Sequence, residues 1–358
     1  MILNRYGCDV MEYFSVQWHI TDMCDQRCKH CYIFAEDNCK KISEMSFDEI
    51  KLTLKEIKNM CKKMGKLPYI YLTGGDPILH PNFWELLKLL KKDNIPFTIM
   101  GNPFHLNLEV CKKMKTYGLE KYQMSLDGTE KTHDWFRKPG SFKITLEKIK
   151  DINDAGIKSV IMTTVSKTNI DEIPDIIDTL VKHKVRVFAF SRYCPTSTEK
   201  DVGIEPLEYR KLLDNCWQKY KKYIEEDTYT RFNLKDHLWK LYLYEEGLYK
   251  LPDNIKDGFV YDGCHCGRGH ITVLPNGDVY ACRRMESKVG NIFEEKKHLY
   301  DIWNSKELDE YRQIDKFDKC SKCKLKLFCR GCPAVTKGLT GNMYNEDPQC
   351  WMDIKESV

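Results

Sequence analysis

The sequence predicts an α/β fold, a partial (β/α)6 TIM-like barrel followed by a C-terminal cysteine-rich iron–sulfur domain. Three observations carry that prediction. Six short apolar runs alternate with amphipathic stretches over residues 14–190, the pattern of strand–helix units around a parallel sheet. Glycines, carboxylates and cysteines follow the ends of those runs. The seventeen cysteines are unevenly spread, with three at residues 24–31 and eight between 264 and 350.

Taken in order, residues 14–20 read as the first strand, ending just before Cys24. Ser46 with Glu49 three residues on is a capping box, opening a helix that runs to about residue 64. Further strands are expected at 68–72, 96–100, 122–126, 160–165 and 185–190, with helices at 82–92, 108–117, 142–155 and 173–183. Sites on such folds lie at the C-terminal ends of strands. Cys24, Cys28 and Cys31 follow the first strand, and Gly74-Gly75-Asp76-Pro77 follows the second. Asn102 lies past the third, residues 125–128 close the fourth, and residues 192–194 follow the sixth. All of these fall on one rim. Residues 205–250 are rich in Tyr, Trp and Leu and read as helices that bridge two domains or line part of a cleft. Residues 273–280 form a hairpin signal around Asn276-Gly277. The expected division is a barrel over 1–198, a helical bridge over 199–259 and the cysteine-rich domain over 260–358.

Composition narrows the function classes. The 358-residue chain is 42% apolar and 31% charged, enough for one large domain and a smaller one. A net charge of +4 is too mild and dispersed to indicate nucleic acid. No apolar run is long enough to span a membrane, and the first residues lack the order of a signal peptide. The expected location is therefore the cytoplasm, where cysteines point to metal rather than disulfides. Cys8, Cys39, Cys61, Cys111, Cys194 and Cys216 read as ordinary thiols. Cys194 is set apart by its place at the rim, where a thiol can relay a hydrogen atom or a proton.

The run Cys24-x3-Cys28-x2-Cys31 can give three thiolates to one [4Fe–4S] cube, leaving the fourth iron without a nearby protein ligand. Structural sites are normally closed by four ligands, so an open position points to chemistry. With Thr73-Gly74-Gly75-Asp76-Pro77 one strand–helix unit later, the sequence resembles the radical S-adenosylmethionine superfamily. The resemblance implies that S-adenosylmethionine chelates the open iron and is cleaved to a deoxyadenosyl radical that takes hydrogen from a substrate. The family's usual second motif is Gly-Gly-Glu-Pro, which binds the cofactor's amino group. Here Asp76 keeps the carboxylate on a shorter arm, and Gly74 and Gly75 permit close backbone approach. Ser125-Leu-Asp-Gly128, followed by His133-Asp-Trp-Phe-Arg137, resembles a further stretch of the family and assigns Ser125 and Arg137 to the cofactor's ribose or carboxylate. His30 either packs near the adenine or shields the cluster, and Asn102 is a further cofactor-contact candidate.

The C-terminal cysteines resemble the SPASM extension, which holds auxiliary clusters in radical enzymes that modify peptides and proteins. By that resemblance Cys264, Cys266, Cys282 and Cys332 hold one [4Fe–4S] cluster, and Cys320, Cys323, Cys329 and Cys350 another, three in all with the first. Two departures stand out. Two residues separate Cys329 from Cys332 where three are common. Cys264 and Cys266 are close for two ligands of one cube, so one of them alone is a possible ligand, leaving an open auxiliary iron. Zinc is the alternative occupant, since thiolate quartets also suit it. The resemblance implies a radical peptide maturase that joins a substrate cysteine to a nearby carbon as a thioether. Its implied partners are a ribosomally made peptide or protein substrate and an electron donor such as a flavodoxin or ferredoxin. Because little sequence precedes residue 14, either a separate leader-binding partner or the C-terminal extension itself is expected to recognise the peptide. A formylglycine-forming sulfatase oxidase is an alternative. Such enzymes carry Asp after the cysteine matching Cys282, where this chain has Arg283. A non-catalytic electron-transfer protein is the alternative of another class, and would not need residues 74–77. Oxygen should destroy such a site, so an anaerobic setting is expected.

Overall fold

The computed structural model describes residues 12–34, 41–196, 202–256, 258–294 and 297–353. Cys8 and Cys39 lie outside them. The strands are β1 (Tyr13–His19), β2 (Leu67–Thr73), β3 (Phe97–Met100), β4 (Lys121–Ser125), β5 (Lys158–Val165), β6 (Val187–Arg192), β7 (Arg231–Asn233), β8 (His270–Val273), β9 (Asp278–Tyr280) and β10 (Lys288–Asn291). The barrel helices are α1 (Phe47–Lys63), α2 (Phe83–Lys92), α3 (Leu108–Thr116), α4 (Glu130–Phe136), α5 (Ser141–Asp154) and α6 (Ile173–Lys182). Beyond them come α7 (Pro206–Glu225), α8 (Leu238–Glu245), α9 (Leu299–Trp303), α10 (Lys306–Asp309), α11 (Asp318–Ser321) and α12 (Pro333–Thr340). No described helix is long and apolar enough to cross a membrane.

One sheet runs through the molecule in the order β10-β9-β8-β1-β2-β3-β4-β5-β6-β7. Every pair from β8 to β7 is parallel, and β9 and β10 are antiparallel additions. This is the parallel α/β architecture expected from the alternating runs. The α1 capping box forms as predicted: Glu49 N–H donates to Ser46 Oγ at 3.3 Å, and Ser46 N–H donates to Glu49 Oε2 at 2.7 Å. The core lies between sheet and helices, where Val16 and Trp18 of β1 meet Ile50, Leu54 and Ile57 of α1, all buried.

Three features differ from the expectation. β6 begins at Val187 and ends on Arg192, so Arg192 belongs to the strand rather than the loop after it. The stretch expected to be wholly helical contains β7, paired in parallel with β6. Its aromatic residues form core: Tyr220 stacks on Phe232 at 4.1 Å, and Tyr209, Tyr220, Trp239 and Tyr242 are buried. Helix α4 stands between the fourth strand and the expected helix α5, where no helix was expected.

The hairpin at Asn276-Gly277 is present as β8–β9, and its partner is β1. Ser15 pairs with His270 and Trp18 with Val273. A second tie crosses to α1, whose buried Glu56 accepts from Leu299 N–H at 3.0 Å and lies 3.2 Å from His298 Nδ1.

Candidate active site

The chain leaves β1 and crosses the rim as the loop that carries Cys24, Cys28 and Cys31. Two backbone bonds seat this loop on the turn after β2. Gly75 N–H donates to Thr21 O at 2.8 Å, and Asp76 N–H to Met23 O at 2.7 Å. A Cβ on Gly74 would strike the Thr21 carbonyl, and one on Gly75 the Met23 carbonyl. These glycines therefore permit close approach to the cysteine loop itself.

Polar groups from the segments after β3 and β4, and from the loop itself, address the sulfurs. Asn102, past β3, donates from Nδ2 to Cys24 Sγ at 3.2 Å and to Asp25 Oδ1 at 3.1 Å. Gln26 N–H also points to Cys24 Sγ, at 3.4 Å. Arg137 Nη1 lies 3.6 Å from Cys28 Sγ. Burial pushes the Cys24 thiol up to about 11, with Gln26 and Asn102 opposing it. Donors aimed at sulfur favour the thiolate that a metal requires.

Asp76 is fully buried, and neither carboxylate oxygen has a hydrogen-bond partner. The backbone amides of Ile78 and Asn102 face it without reaching bonding geometry. Burial, and then the neighbouring Asp25, push its carboxyl up to about 7. An unpaired buried carboxylate is costly. It suits a cationic ligand such as an ammonium group beside the three cysteines, and the residues present thus fit S-adenosylmethionine.

Arg137 is engaged within the protein. Its Nε donates to Asp127 Oδ2 at 2.6 Å. Asp127 also accepts from Thr164 N–H at 2.9 Å and lies 3.4 Å from His30 Nε2. Burial alone would raise the Asp127 carboxyl, but Arg137 and His30 outweigh it and hold the group well below the usual carboxylate range. His133 Nδ1 accepts from Asp127 N–H at 3.0 Å, and burial pushes that imidazole down to about 4. Asp127 organises this corner, and sequence reasoning did not single it out although it lies within the run 125–128. His30 packs edge-on to Phe136 at 5.0 Å. Ser125 ends β4 half-buried on the same rim.

The C-terminal thiols form two groups. Cys320, Cys323, Cys329 and Cys350 interact electrostatically with one another around Asp347. Cys264, Cys266, Cys282 and Cys332 form the other, with two additions. His237 lies within hydrogen-bonding reach of both Cys264 and Cys332. Burial disfavours its charged form, but those sulfurs outweigh burial and push it up to about 10. Cys194, past β6, lies within hydrogen-bonding reach of Cys332. Among the described residues no three cysteine sulfurs lie within 4.8 Å of one another. Sulfurs around a single zinc ion would stand about 3.8 Å apart, so the spread suits cubes better.

Arg283 and Arg284 do not form a solvated face. Arg283 lies over the Tyr32 ring at 4.7 Å, beside the first cysteine loop. Arg284 donates to Ser191 Oγ at 3.2 Å and to Cys332 Sγ at 3.5 Å. Beneath them Arg192, fully buried, donates from both terminal nitrogens to Asp347 at 2.8 and 3.0 Å and from Nε to Asp236 at 3.1 Å. Asp347 in turn accepts from Cys332 N–H at 2.9 Å. Gly331, at φ +62°, leaves the room its carboxylate occupies.

This geometry defines a radical enzyme site with auxiliary thiol clusters, and the comparisons agree. The profile of the radical SAM superfamily matches residues 18–180, and that of the SPASM iron–sulfur cluster-binding domain matches residues 264–333. The chain carries a radical SAM domain and a SPASM domain; it is an enzyme, and these domains imply S-adenosylmethionine and iron–sulfur clusters. It is 26% identical to the AdoMet-dependent heme synthase of Nitratidesulfovibrio vulgaris, over 94% of this chain and 91% of that one. It is 24% identical to the mycofactocin maturase MftC of Mycobacterium tuberculosis, over 93% and 81%. The subtilosin biosynthesis protein AlbA of Bacillus subtilis is 26% identical over 93% and 69%. In fold it resembles Streptococcus suis SuiB solved with the precursor peptide SuiA, at 19% identity and a TM-score of 0.73, over 96% of this chain and 77% of that chain.

Proposed function

We propose that this enzyme is a peptide maturase that removes hydrogen from a ribosomally made peptide and joins the carbon to a peptide cysteine as a thioether. The observation that carries the reading is the convergence of thiol groups on one rim, with the first auxiliary group touching the end of β6 while the three-cysteine loop follows β1. Cys24, Cys28 and Cys31 hold the cofactor-binding cluster in this reading. Cys264, Cys266, Cys282 and Cys332 supply one auxiliary cluster, and Cys320, Cys323, Cys329 and Cys350 the other. S-adenosylmethionine supplies the hydrogen-abstracting deoxyadenosyl group. Asp76 takes its ammonium, Asn102 and Arg137 hold the loop sulfurs as thiolates, and Gly74 and Gly75 keep that loop pressed on β2. Ser125 and His30 remain at the rim as cofactor contacts. The peptide loses one hydrogen atom from carbon and one proton from sulfur, and an auxiliary cluster held by the C-terminal cysteines would supply the acceptor for the remaining electron. A flavodoxin or ferredoxin supplies the electron that cleaves the cofactor.

The maturase name of MftC and the bacteriocin-biosynthesis name of AlbA support a peptide substrate. The test is anaerobic incubation with reductant, S-adenosylmethionine and any short cysteine-containing peptide found encoded beside the gene. Loss of two hydrogens from the peptide, with the cysteine closed to alkylation, is expected. Deoxyadenosine formed while the peptide stays unchanged would overturn the reading. A second reading, formation of heme from an iron-porphyrin precursor, is favoured by the near end-to-end match to heme synthases, and heme absorbance in a parallel incubation decides for it. The formylglycine alternative has no support at the site, because the residue after Cys282 is Arg283, held over Tyr32.

A further inference from the structure

Three links hold the end of β6 and the loop after it against Cys332 and the helix that follows it, and they place one more thiol there than the C-terminal cysteine motif contains. Ser191 Oγ accepts from Arg284 at 3.2 Å, and the same guanidinium reaches Cys332 Sγ at 3.5 Å. Arg192 grips Asp347, which accepts from Cys332 N–H. Gly338 of α12, the helix that starts just after Cys332, lies so close to the Pro195 carbonyl that a Cβ there would clash. Between these anchors the Cys194 thiol donates to Arg192 O at 3.9 Å, and it interacts with Cys332, the residue that Arg284 and Asp347 also contact. The loop is therefore clamped by buried groups on both sides of Cys194.

We propose that Cys194 is a ligand of the first auxiliary cluster, a thiolate contributed by the barrel that joins Cys282, Cys332 and Cys264 and closes the fourth iron. Cys266 then acts as a hydrogen-bond partner of Cys264, which it contacts. A cube takes four ligands, and this region offers five thiols, so one is surplus. Cys264 shares His237 with Cys332, and this puts it on the cluster side of the pair. A closed cluster has no iron for a substrate thiolate. Its part in the proposed reaction is then to accept an electron, and the peptide thiol reacts while free of iron. The inference rests on the auxiliary-cluster reading given above and replaces Cys266 by Cys194 in the ligand set of its first cluster.

The test is iron analysis, EPR and cluster potentials on anaerobically purified holoenzyme and on the variants C194A, C194S and C266A. Wild type should hold about twelve irons. C194A should lose roughly one to four irons while keeping the other two clusters, and any remnant should show the EPR signal of a three-iron cluster. C194S, which still offers oxygen, should keep the cube with a shifted potential and altered EPR spectrum. A side chain that only supports the loop would leave both spectra as in wild type. Full iron and a wild-type spectrum in C194A overturn the inference, as does retention in C194A alongside loss in C266A. Wild type holding zinc in place of auxiliary iron overturns the underlying cluster reading instead, so the two failures are distinguishable.

Discussion

Replacing Arg192 by methionine should loosen the C-terminal domain from the barrel. Methionine preserves much of the side-chain volume but strips Asp347 of its guanidinium partner and leaves Asp236 with only His237 and Arg284 as positive neighbours. Removing one partner from a buried ion pair costs about 3–5 kcal/mol. Unfolding entropy of about 2.1 cal/mol/K per residue gives about 0.75 kcal/mol per degree for a chain of this length, so Tm should fall by about 4–7 °C. The damage should be local as well as global. Asp347 holds Cys332 N–H, and Gln349 accepts from Arg192 at 3.1 Å beside Cys350, so both auxiliary groups should lose iron before the three-cysteine loop does. The assay is an anaerobic thermal melt of holoenzyme followed by circular dichroism, with iron measured per chain. The double variant R192M/D347N removes one stranded charge and should recover part of the loss, a coupling of at least about 0.5 kcal/mol. A Tm for R192M within a degree of wild type, with all iron retained, would refute the reasoning.

Three further outcomes are expected. Metal analysis of anaerobic protein should give about twelve irons and matching sulfide; zinc in their place would remove the auxiliary-cluster assignment. D76N should weaken S-adenosylmethionine binding roughly 10- to 150-fold, the loss of about 1.5–3 kcal/mol from a charge-assisted bond, measured by equilibrium binding. Because Asp76 is raised to about 7 from an ordinary value of 3.8, the folded state binds more protons between those values. Stability from this group is then lost as pH rises through that window, so ligand-free D76N should melt higher than wild type at pH 8. His133 is lowered to about 4 by burial, so the unfolded state binds the extra proton between about pH 4 and 6.5. Stability should therefore fall on acidification through that window, by at most about 3 kcal/mol. H133N, whose amide oxygen can replace Nδ1, should show a flatter pH profile, and equal slopes would exclude the assignment.

The strand–helix alternation was legible because each unit buries one face, and residue pattern reports burial directly. The cysteine loop and residues 74–77 were legible for a similar reason, since their spacing is local. What escaped depended on distant partners. The three-residue β7 carries too few positions for a period, and only its pairing with β6 makes it a strand. Helix α4 had a weak signal, Thr129 before Glu130, but no long apolar stripe. Asp127 matters through Arg137, His30 and Thr164, three contacts from different elements. Arg192 reads as one charge at a strand end until Asp347 and Asp236 close around it. The arginines after Cys282 suit an acidic peptide or a solvated face equally well until Tyr32, Ser191 and Cys332 are placed beside them.

The pairing of β8 with β1 bears on how such a chain can be cut or recombined. The cysteine-rich segment does not sit on the barrel as a detachable cap; it completes the hydrogen-bond ladder of the barrel's first strand. Removing residues after about 260 would strip the backbone partners from Ser15, Gln17 and their neighbours, leaving an apolar strand with a free edge. Such edges recruit other chains. A barrel-only truncation should therefore precipitate, and inheritance of these two halves is expected to be joint, because the seam between them is a ladder of main-chain bonds that neither half can satisfy alone.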